Sequence, residues 1–273
     1  MSVKDYIPKP IRKCLGTIHG KLHRRKSIIV YKTDEFLHRD KMIYNCPCCG
    51  IMLKEFISLG FEKQNDVYNP KRYEGMNQNV ICPICNSLPR HRILATWLDK
   101  HKNEFNGKIL YFAVENGIMN WMRRNKVKCT TADLFRPADL KLDIENTHQP
   151  AESWDWVICN HVLEHVNDYK QALKEIHRIL KPGGKLICSF PILESMETLI
   201  EETEHTEENK AKRLELYGQA DHLRIFGRDS DEILRQAGFE VSRIDGADMP
   251  ESILPIVGPG DYDVNYLFLC RKV

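Results

Sequence analysis

Trp154-Asp155-Trp156-Val157-Ile158-Cys159-Asn160-His161-Val162-Leu163-Glu164-His165-Val166 opens residues 154–191, and Leu180-Lys181-Pro182-Gly183-Gly184-Lys185-Leu186-Ile187-Cys188-Ser189-Phe190-Pro191 closes them. The segment reads as strand, loop, helix, turn and strand. Trp156 to Cys159 is a short apolar run of the kind that a strand buried on both faces needs. From Asp168 onward, Tyr169, Ala172, Leu173, Ile176, Ile179 and Leu180 recur at helical spacing and make one apolar stripe. Asp168 is placed to cap that helix. Pro182-Gly183-Gly184 is placed to end it, because proline cannot continue the hydrogen-bond ladder and glycine turns the chain at little cost. Residues 185–190 are the next strand. Such a β-α-β unit winds right-handed into a parallel sheet.

Around this unit, 273 residues suffice for one full-sized α/β domain plus a small module. Hydrophobic residues at 42% and charged residues at 29% are ordinary for a soluble globular chain. A net charge of +2 is too small to imply a nucleic-acid or membrane partner by itself. No apolar run approaches the ~20 residues that span a bilayer, and the first ten residues lack the apolar core of a signal peptide. The expectation is a cytoplasmic protein with no transmembrane segment. Ten cysteines in such a chain point to metal ligands or buried thiols before disulfides.

Residues 1–40 form a basic N-terminal arm. Residues 1–26 carry eight Lys or Arg against one acid, Asp5. The arm is either an electrostatic contact for an anionic partner, such as lipid headgroups or RNA phosphates, or a solvated terminus. Leu15, Ile18 and Leu22 also suit a helix docked on the body of the protein. Ser27 to Thr33 reads as a strand or extended linker.

Residues 41–88 form a cysteine module. Cys46-Pro47-Cys48-Cys49-Gly50 and Cys82-Pro83-Ile84-Cys85 are two C-x-x-C knuckles separated by 32 residues. Each knuckle turns two thiolates toward one point, and two knuckles supply the closed tetrahedral set of a structural zinc. Cys46, Cys49, Cys82 and Cys85 are assigned as ligands; Cys48 should point away, although a Cys46/Cys48 register stays open. An iron site of four thiolates has the same geometry, and zinc is favoured because nothing else in the sequence suggests electron transfer. The pattern looks like a zinc ribbon, with Glu55-Phe56-Ile57 and Phe61-Glu62 as strands and residues 65–79 as a polar loop. Ser87-Leu88-Pro89-Arg90-His91-Arg92 then opens a helix whose stripe is Ile93, Leu94, Trp97, Leu98 and His101. Arg90, His91 and Arg92 either bind an acidic substrate group or pair with carboxylates across the junction.

Lys108 to Glu115 reads as the first strand of the larger domain, residues 89–273, and enters a turn at Asn116-Gly117. A second strand, Val127 to Thr131, ends at Asp133. An acid about 20 residues past the first turn is where a carboxylate binds the ribose hydroxyls of an adenosine, and Asp133 lies 16 residues past Gly117. Leu140 to Ile144 reads as the end of a further strand. Glu194 to Glu208 holds seven glutamates and no Lys or Arg, the composition of a solvated helix or lid. Asp229 caps a helix ended by Gly238, and Phe239 to Ile244 and Val264 to Cys270 are the last two strands.

Asp155, the Cys159–Val166 segment and the Leu180-Lys181-Pro182-Gly183-Gly184 turn resemble the class I S-adenosylmethionine-dependent methyltransferases. The resemblance implies an α/β, Rossmann-like sheet with helices on both faces, preceded here by the small zinc ribbon. It further resembles the bacterial subgroup that carries an N-terminal C-x-x-C ribbon and is often encoded among surface-polysaccharide genes; Gly218 to Arg228 matches that subgroup's substrate loop. The resemblance places the methionine end of the cofactor on Ala113, Val114, Glu115, Asn116 and Gly117. It places adenosine on Asp133, Leu134, Asp143 and Ile144, with Asn160 at the end of the fourth strand. One departure stands out. The family's acid-x-Gly-x-Gly-x-Gly motif falls on Tyr111, Ala113, Glu115 and Gly117, so only the last glycine survives, and Glu115 would replace the missing strand-end acid.

The implied activity is methyl transfer to a hydroxyl of a sugar or surface-glycan precursor. An in-line displacement needs alignment, and an alcohol acceptor gains from a general base. His161 is the first candidate base and His222 the second. His165 either caps and packs or joins His161 and Glu164 in a divalent-metal site, since quinone-pathway O-methyltransferases carry a similar Leu-Glu-His triplet. Two other functions stay open: a ribosomal RNA methyltransferase with a zinc module, favoured by the basic arm and disfavoured by the acidic run, and a non-catalytic adaptor built on a degenerate methyltransferase domain.

Overall fold

The computed structural model describes residues 29–30, 33, 42–57, 80–193, 196–198, 200–201, 206, 208–217, 219–253, 262–263 and 266–273. Residues 1–28 of the basic arm, the expected Phe61-Glu62 strand, the loop at 65–79 and much of the glutamate run lie outside these. Ile29, Val30 and Thr33 are helical rather than extended, and Thr33 Oγ1 donates to the Ile29 carbonyl at 2.9 Å, four residues back. Isoleucine and valine lower helix propensity only slightly, so β-branching does not forbid this.

The larger domain is a six-stranded sheet. In the cysteine module, β1 (Tyr44–Cys46) and β2 (Ile51–Leu53) pair antiparallel across the first knuckle. The expected strand at 55–57 shrinks to one bridge, Ile57 to Ile81. Helix α1 (Pro89–Lys100) leads to β3 (Ile109–Phe112), α2 (Asn116–Arg124) and β4 (Thr130–Ala132). Then come β5 (Trp154–Asn160), α3 (Tyr169–Ile179), β6 (Leu180–Ser189), β7 (Ile192–Leu193) and β8 (Ile200–Glu201). The chain ends with α4 (Lys210–Tyr217), β9 (Arg224–Ile225), α5 (Ser230–Gln236), β10 (Phe239–Asp245), β11 (Tyr262–Asp263) and β12 (Tyr266–Lys272). The sheet order is β10-β12-β6-β5-β3-β4; β4, β3, β5 and β6 run parallel, and β12 and β10 are antiparallel. This is a Rossmann-like α/β fold.

Alternation along the strands makes two cores. Ile109 and Tyr111 of β3, Trp156 and Ile158 of β5 and Ile187 of β6 meet α1 and α2 on one face. Leu110, Phe112, Val157, Cys159, Leu186 and Cys188 meet α3 and α5 on the other. On α3 the fully buried Leu173, Ile176 and Ile179 each gain ~1.5–3 kcal/mol from leaving water. The first core also takes in Cys46, Cys48, Phe56, Cys82 and Ile84, so apolar packing is continuous from the cysteine module to the sheet.

Asp168 caps α3 through the Gln171 N–H at 2.9 Å. The helix ends three residues before Pro182. Leu180 already pairs with Trp154, and Lys181–Gly184 then loop out before pairing resumes at Trp156 and Lys185. Gly183 takes a φ of +72° in that excursion, a conformation glycine adopts freely. Asp155 ties this amino end of the sheet together, accepting from the Lys108 N–H at 2.8 Å and from Lys181 Nζ at 2.7 Å. The strand expected at 140–144 is reduced to one parallel bridge, Leu140 to Ala132. Its growth is blocked because Asp139 Oδ2 takes the Thr131 N–H that a neighbouring strand would use.

Candidate functional site

Strand order reverses between β3 and β5, so the carboxyl ends of β3, β4 and β5 converge where open α/β sheets hold ligands. Ala113, Asp133 and His161 leave those three ends in turn. Ala113 has φ +48° and His161 φ +50°, left-handed conformations that non-glycine residues adopt at a cost of order 1–3 kcal/mol, and such strain concentrates at ligand sites.

After β3, the Tyr111 hydroxyl accepts the Glu115 N–H at 3.2 Å and steadies the turn into α2. Glu115 Oε1 accepts from His91 Nε2 at 2.6 Å and from Arg90 Nε at 3.1 Å. The Leu88 N–H donates to His91 Nδ1, so His91 carries its proton on Nε2. Burial pulls His91 toward its neutral form. Burial also pushes the Glu115 carboxyl up, but His91 and Arg90 outweigh it and hold Glu115 well below the usual range. Glu115 Oε2 is buried with no hydrogen bond among the described residues. Of the two roles open to Arg90 and His91, carboxylate pairing is the one the geometry displays. Arg92 does neither: it is fully buried and donates to the carbonyls of Ile253, Val80 and Ser87.

Gly117, the surviving glycine, faces His91 and not the strand ends: a Cβ there would lie 2.9 Å from His91 Nδ1. Gly117→Ala should therefore destabilise the protein by ~1–3 kcal/mol, the usual cost of overpacking, as read by urea denaturation. Val114 packs against the first core and Asn116 is exposed.

After β4, Asp133 Oδ1 accepts the N–H groups of Phe135 and Arg136, at 2.8 and 2.7 Å. Oδ2 has no hydrogen bond among the described residues and stays available. Leu134 is exposed beside it. Asp143 is exposed and accepts the Glu145 N–H, whereas Ile144 is in the second core.

After β5, Asn160 is buried and accepts from Ser189 Oγ at 3.2 Å. The His161 N–H donates to the Ser189 carbonyl. His161 Nδ1 lies 3.2 Å from Glu164 Oε1, off the line of a good hydrogen bond, and its Nε2 is buried without a partner among the described residues. His161 shares one neighbourhood with Glu115, His91 and Glu164. His165 and His222 stack edge to face at 4.7 Å. The loop carrying His222 is fastened under the Leu163–Asn167 turn: the Leu223 N–H donates to the Glu164 carbonyl, and buried Arg224 donates to those of Leu163, Val166 and Asn167. Arg224 and the His222 partnership with Glu164 were missed in the sequence; a fully apolar-flanked arginine in Leu223-Arg224-Ile225-Phe226 was the available signal.

In the cysteine module, the Sγ atoms of Cys46, Cys49, Cys82 and Cys85 all lie within 4.8 Å of one another, with Cys46–Cys85 at 3.6 Å and Cys49–Cys82 at 3.8 Å. Zinc–sulfur bonds of ~2.3 Å in a tetrahedron put sulfurs ~3.8 Å apart, so this set fits a metal. Cys48 points elsewhere, its Sγ 3.4 Å from the His91 carbonyl. The module docks on the domain through Arg124, which donates to the Pro47 carbonyl, and through the Asn45 N–H on the Ser252 carbonyl.

The Rossmann-like sheet carries acids and a histidine at the ends of β3, β4 and β5, the side on which open α/β sheets hold ligands. The family model described as "Methyltransferase domain" matches residues 91–244, over half of the chain, and the chain belongs to that family. A demethylmenaquinone methyltransferase of Listeria monocytogenes is 36% identical over 69 residues, 25% of this chain and 29% of the relative. The ubiquinone/menaquinone biosynthesis C-methyltransferase UbiE of Rickettsia akari is 26% identical over 140 residues, 44% of this chain and 53% of that protein. The chain thus spans about half or less of these curated relatives. Among solved structures, a SAM-dependent methyltransferase of Thermotoga maritima, titled a possible histamine N-methyltransferase, gives a TM-score of 0.40 at 21% identity, covering 68% of this chain and 99% of that one. Among the described residues no helix is long and apolar enough to cross a membrane.

Proposed function

We propose that this chain is an S-adenosylmethionine-dependent methyltransferase acting on a hydroxyl of a small molecule, a sugar or surface-glycan precursor. The observation that carries it is His161: it leaves the carboxyl end of β5 with Nδ1 against the buried Glu164 and Nε2 without a partner among the described residues. A carboxylate beside one ring nitrogen orients the imidazole so that the other nitrogen can take up a proton as a general base. When bound, S-adenosylmethionine supplies the electrophilic methyl group. Asp133, with Oδ2 available, holds the ribose, and Asp143 the adenine side. Ala113 to Glu115 line the methionine end, where the orphaned Glu115 Oε2 fits an ammonium group. His161 accepts the hydroxyl proton, and Arg90 and His91 keep Glu115 in place. In this proposal the four-cysteine centre holds zinc, Arg92 is the buried cation beside it, and residues 41–88 are a ribbon ahead of the catalytic domain at 89–273.

The test is formation of S-adenosylhomocysteine from S-adenosylmethionine across a panel of nucleotide sugars and glycan precursors, with the product analysed for an O-methyl group. A second acceptor is favoured by the quinone-pathway relatives, one of them a C-methyltransferase: a quinone-type ring carbon, giving a C-methyl product instead. Salt-insensitive activity would disfavour an RNA acceptor, whose binding weakens steeply with salt. Asp133→Ala should weaken S-adenosylmethionine binding by ~1.5–3 kcal/mol for each hydrogen bond lost to a charged acceptor, as measured by calorimetry.

A further inference from the structure

Glu164, His165 and His222 present ligand atoms that all lie within 4.8 Å of one another. They come from the turn after β5 and the loop before β9, and the Leu223 and Arg224 contacts hold those two segments together. Glu164 is 1% exposed, and neither carboxylate oxygen has a hydrogen bond among the described residues. A buried carboxylate of this kind costs several kcal/mol unless a cation answers it.

The two histidines are prepared as donors of lone pairs. His165 Nδ1 lies 3.1 Å from the Asp221 carbonyl oxygen, which only accepts, so Nδ1 carries the proton and Nε2 the lone pair. A carbonyl behind the ring is how metal-ligating histidines are oriented. His222 is 2% exposed, and its Nδ1 has no hydrogen-bond partner among the described residues.

We propose that Glu164, His165 and His222 form a binding site for a divalent transition-metal ion. Two imidazoles and one carboxylate suit zinc or cobalt better than magnesium or calcium, which prefer oxygen shells. Three protein ligands leave a coordination position open, as in catalytic zinc centres. The site is separate from the four-cysteine centre and does not depend on which methyl acceptor is correct.

The test is a titration of the full-length protein, its cysteine centre already loaded with zinc, with Co²⁺. The readout is the visible d–d spectrum of a nitrogen- and oxygen-ligated ion, free of thiolate charge transfer. One equivalent is expected to bind. His165→Ala, at a half-exposed position, and Glu164→Gln should each weaken binding by more than the ~10–100-fold that loss of an outer partner costs. His161→Ala should retain the spectrum. His165→Ala carries the test if the buried variant does not fold, as judged by circular dichroism. Absence of any cobalt uptake beyond the cysteine centre overturns the proposal, as does uptake that survives in folded His165→Ala.

Discussion

His161→Ala is expected to lower single-turnover methyl transfer by ~10²–10⁴-fold, the usual contribution of a positioned acid or base, while S-adenosylmethionine affinity stays at the wild-type value. The two readouts separate because His161 is at the end of β5, whereas the proposed adenosine contacts belong to β4 and the segment after it. Its backbone N–H stays tied to Ser189 in the variant, and the side chain is only partly buried, so the fold should survive. His161→Gln keeps polarity without proton uptake and should be nearly as slow. A rate unchanged in His161→Ala would remove it as base and pass the role to His222.

Loss of the metal proposed for the cysteine centre should have the largest effect on stability. Structural zinc contributes an apparent ~10–16 kcal/mol in small zinc modules, and residues 42–57 and 80–88 have little core of their own. The consequence should not stop at the module. Cys46, Cys48 and Cys82 share a core with Trp97 and Trp121, and α1 begins directly after the second knuckle with the Arg90 and His91 that hold Glu115. Cys46→Ser and Cys85→Ser should therefore be poorly soluble and should lose S-adenosylmethionine binding as well. Cys48→Ser should keep its cysteine-centre metal and lie close to wild type in thermal melts, because its Sγ faces the His91 carbonyl. Freshly purified protein without metal in the cysteine centre, and with unchanged melting, would contradict this.

The central β-α-β unit was legible because everything that makes it is local: the run from Trp156 to Cys159, the stripe on α3 and the cap at Asp168. The cysteine spacing was legible for the same reason, since two C-x-x-C turns constrain where their thiolates converge. What the sequence concealed is set by distant partners. Gly117 has the look of a cofactor glycine but is required by His91, which packs on it from another helix. Glu115 breaks a glycine motif, and only the fold brings Arg90 and His91 to it. Pro182-Gly183-Gly184 suggested the end of a helix, whereas pairing of Leu180 with Trp154 captures the chain earlier and leaves the turn as an excursion within β6. The strand expected at 140–144 failed because Asp139, a side chain, competes for the Thr131 N–H. His222 is 57 residues beyond His165 in the chain, and nothing local connects them.

Calorimetric titration of the zinc-loaded, full-length protein with S-adenosylmethionine tests the central claim most directly. One site per chain is expected, with affinity lost in Asp133→Ala and retained in His161→Ala. Absence of binding at millimolar S-adenosylmethionine, in protein that melts cooperatively and holds its cysteine-centre metal, would contradict the account and leave the methyltransferase fold as a scaffold.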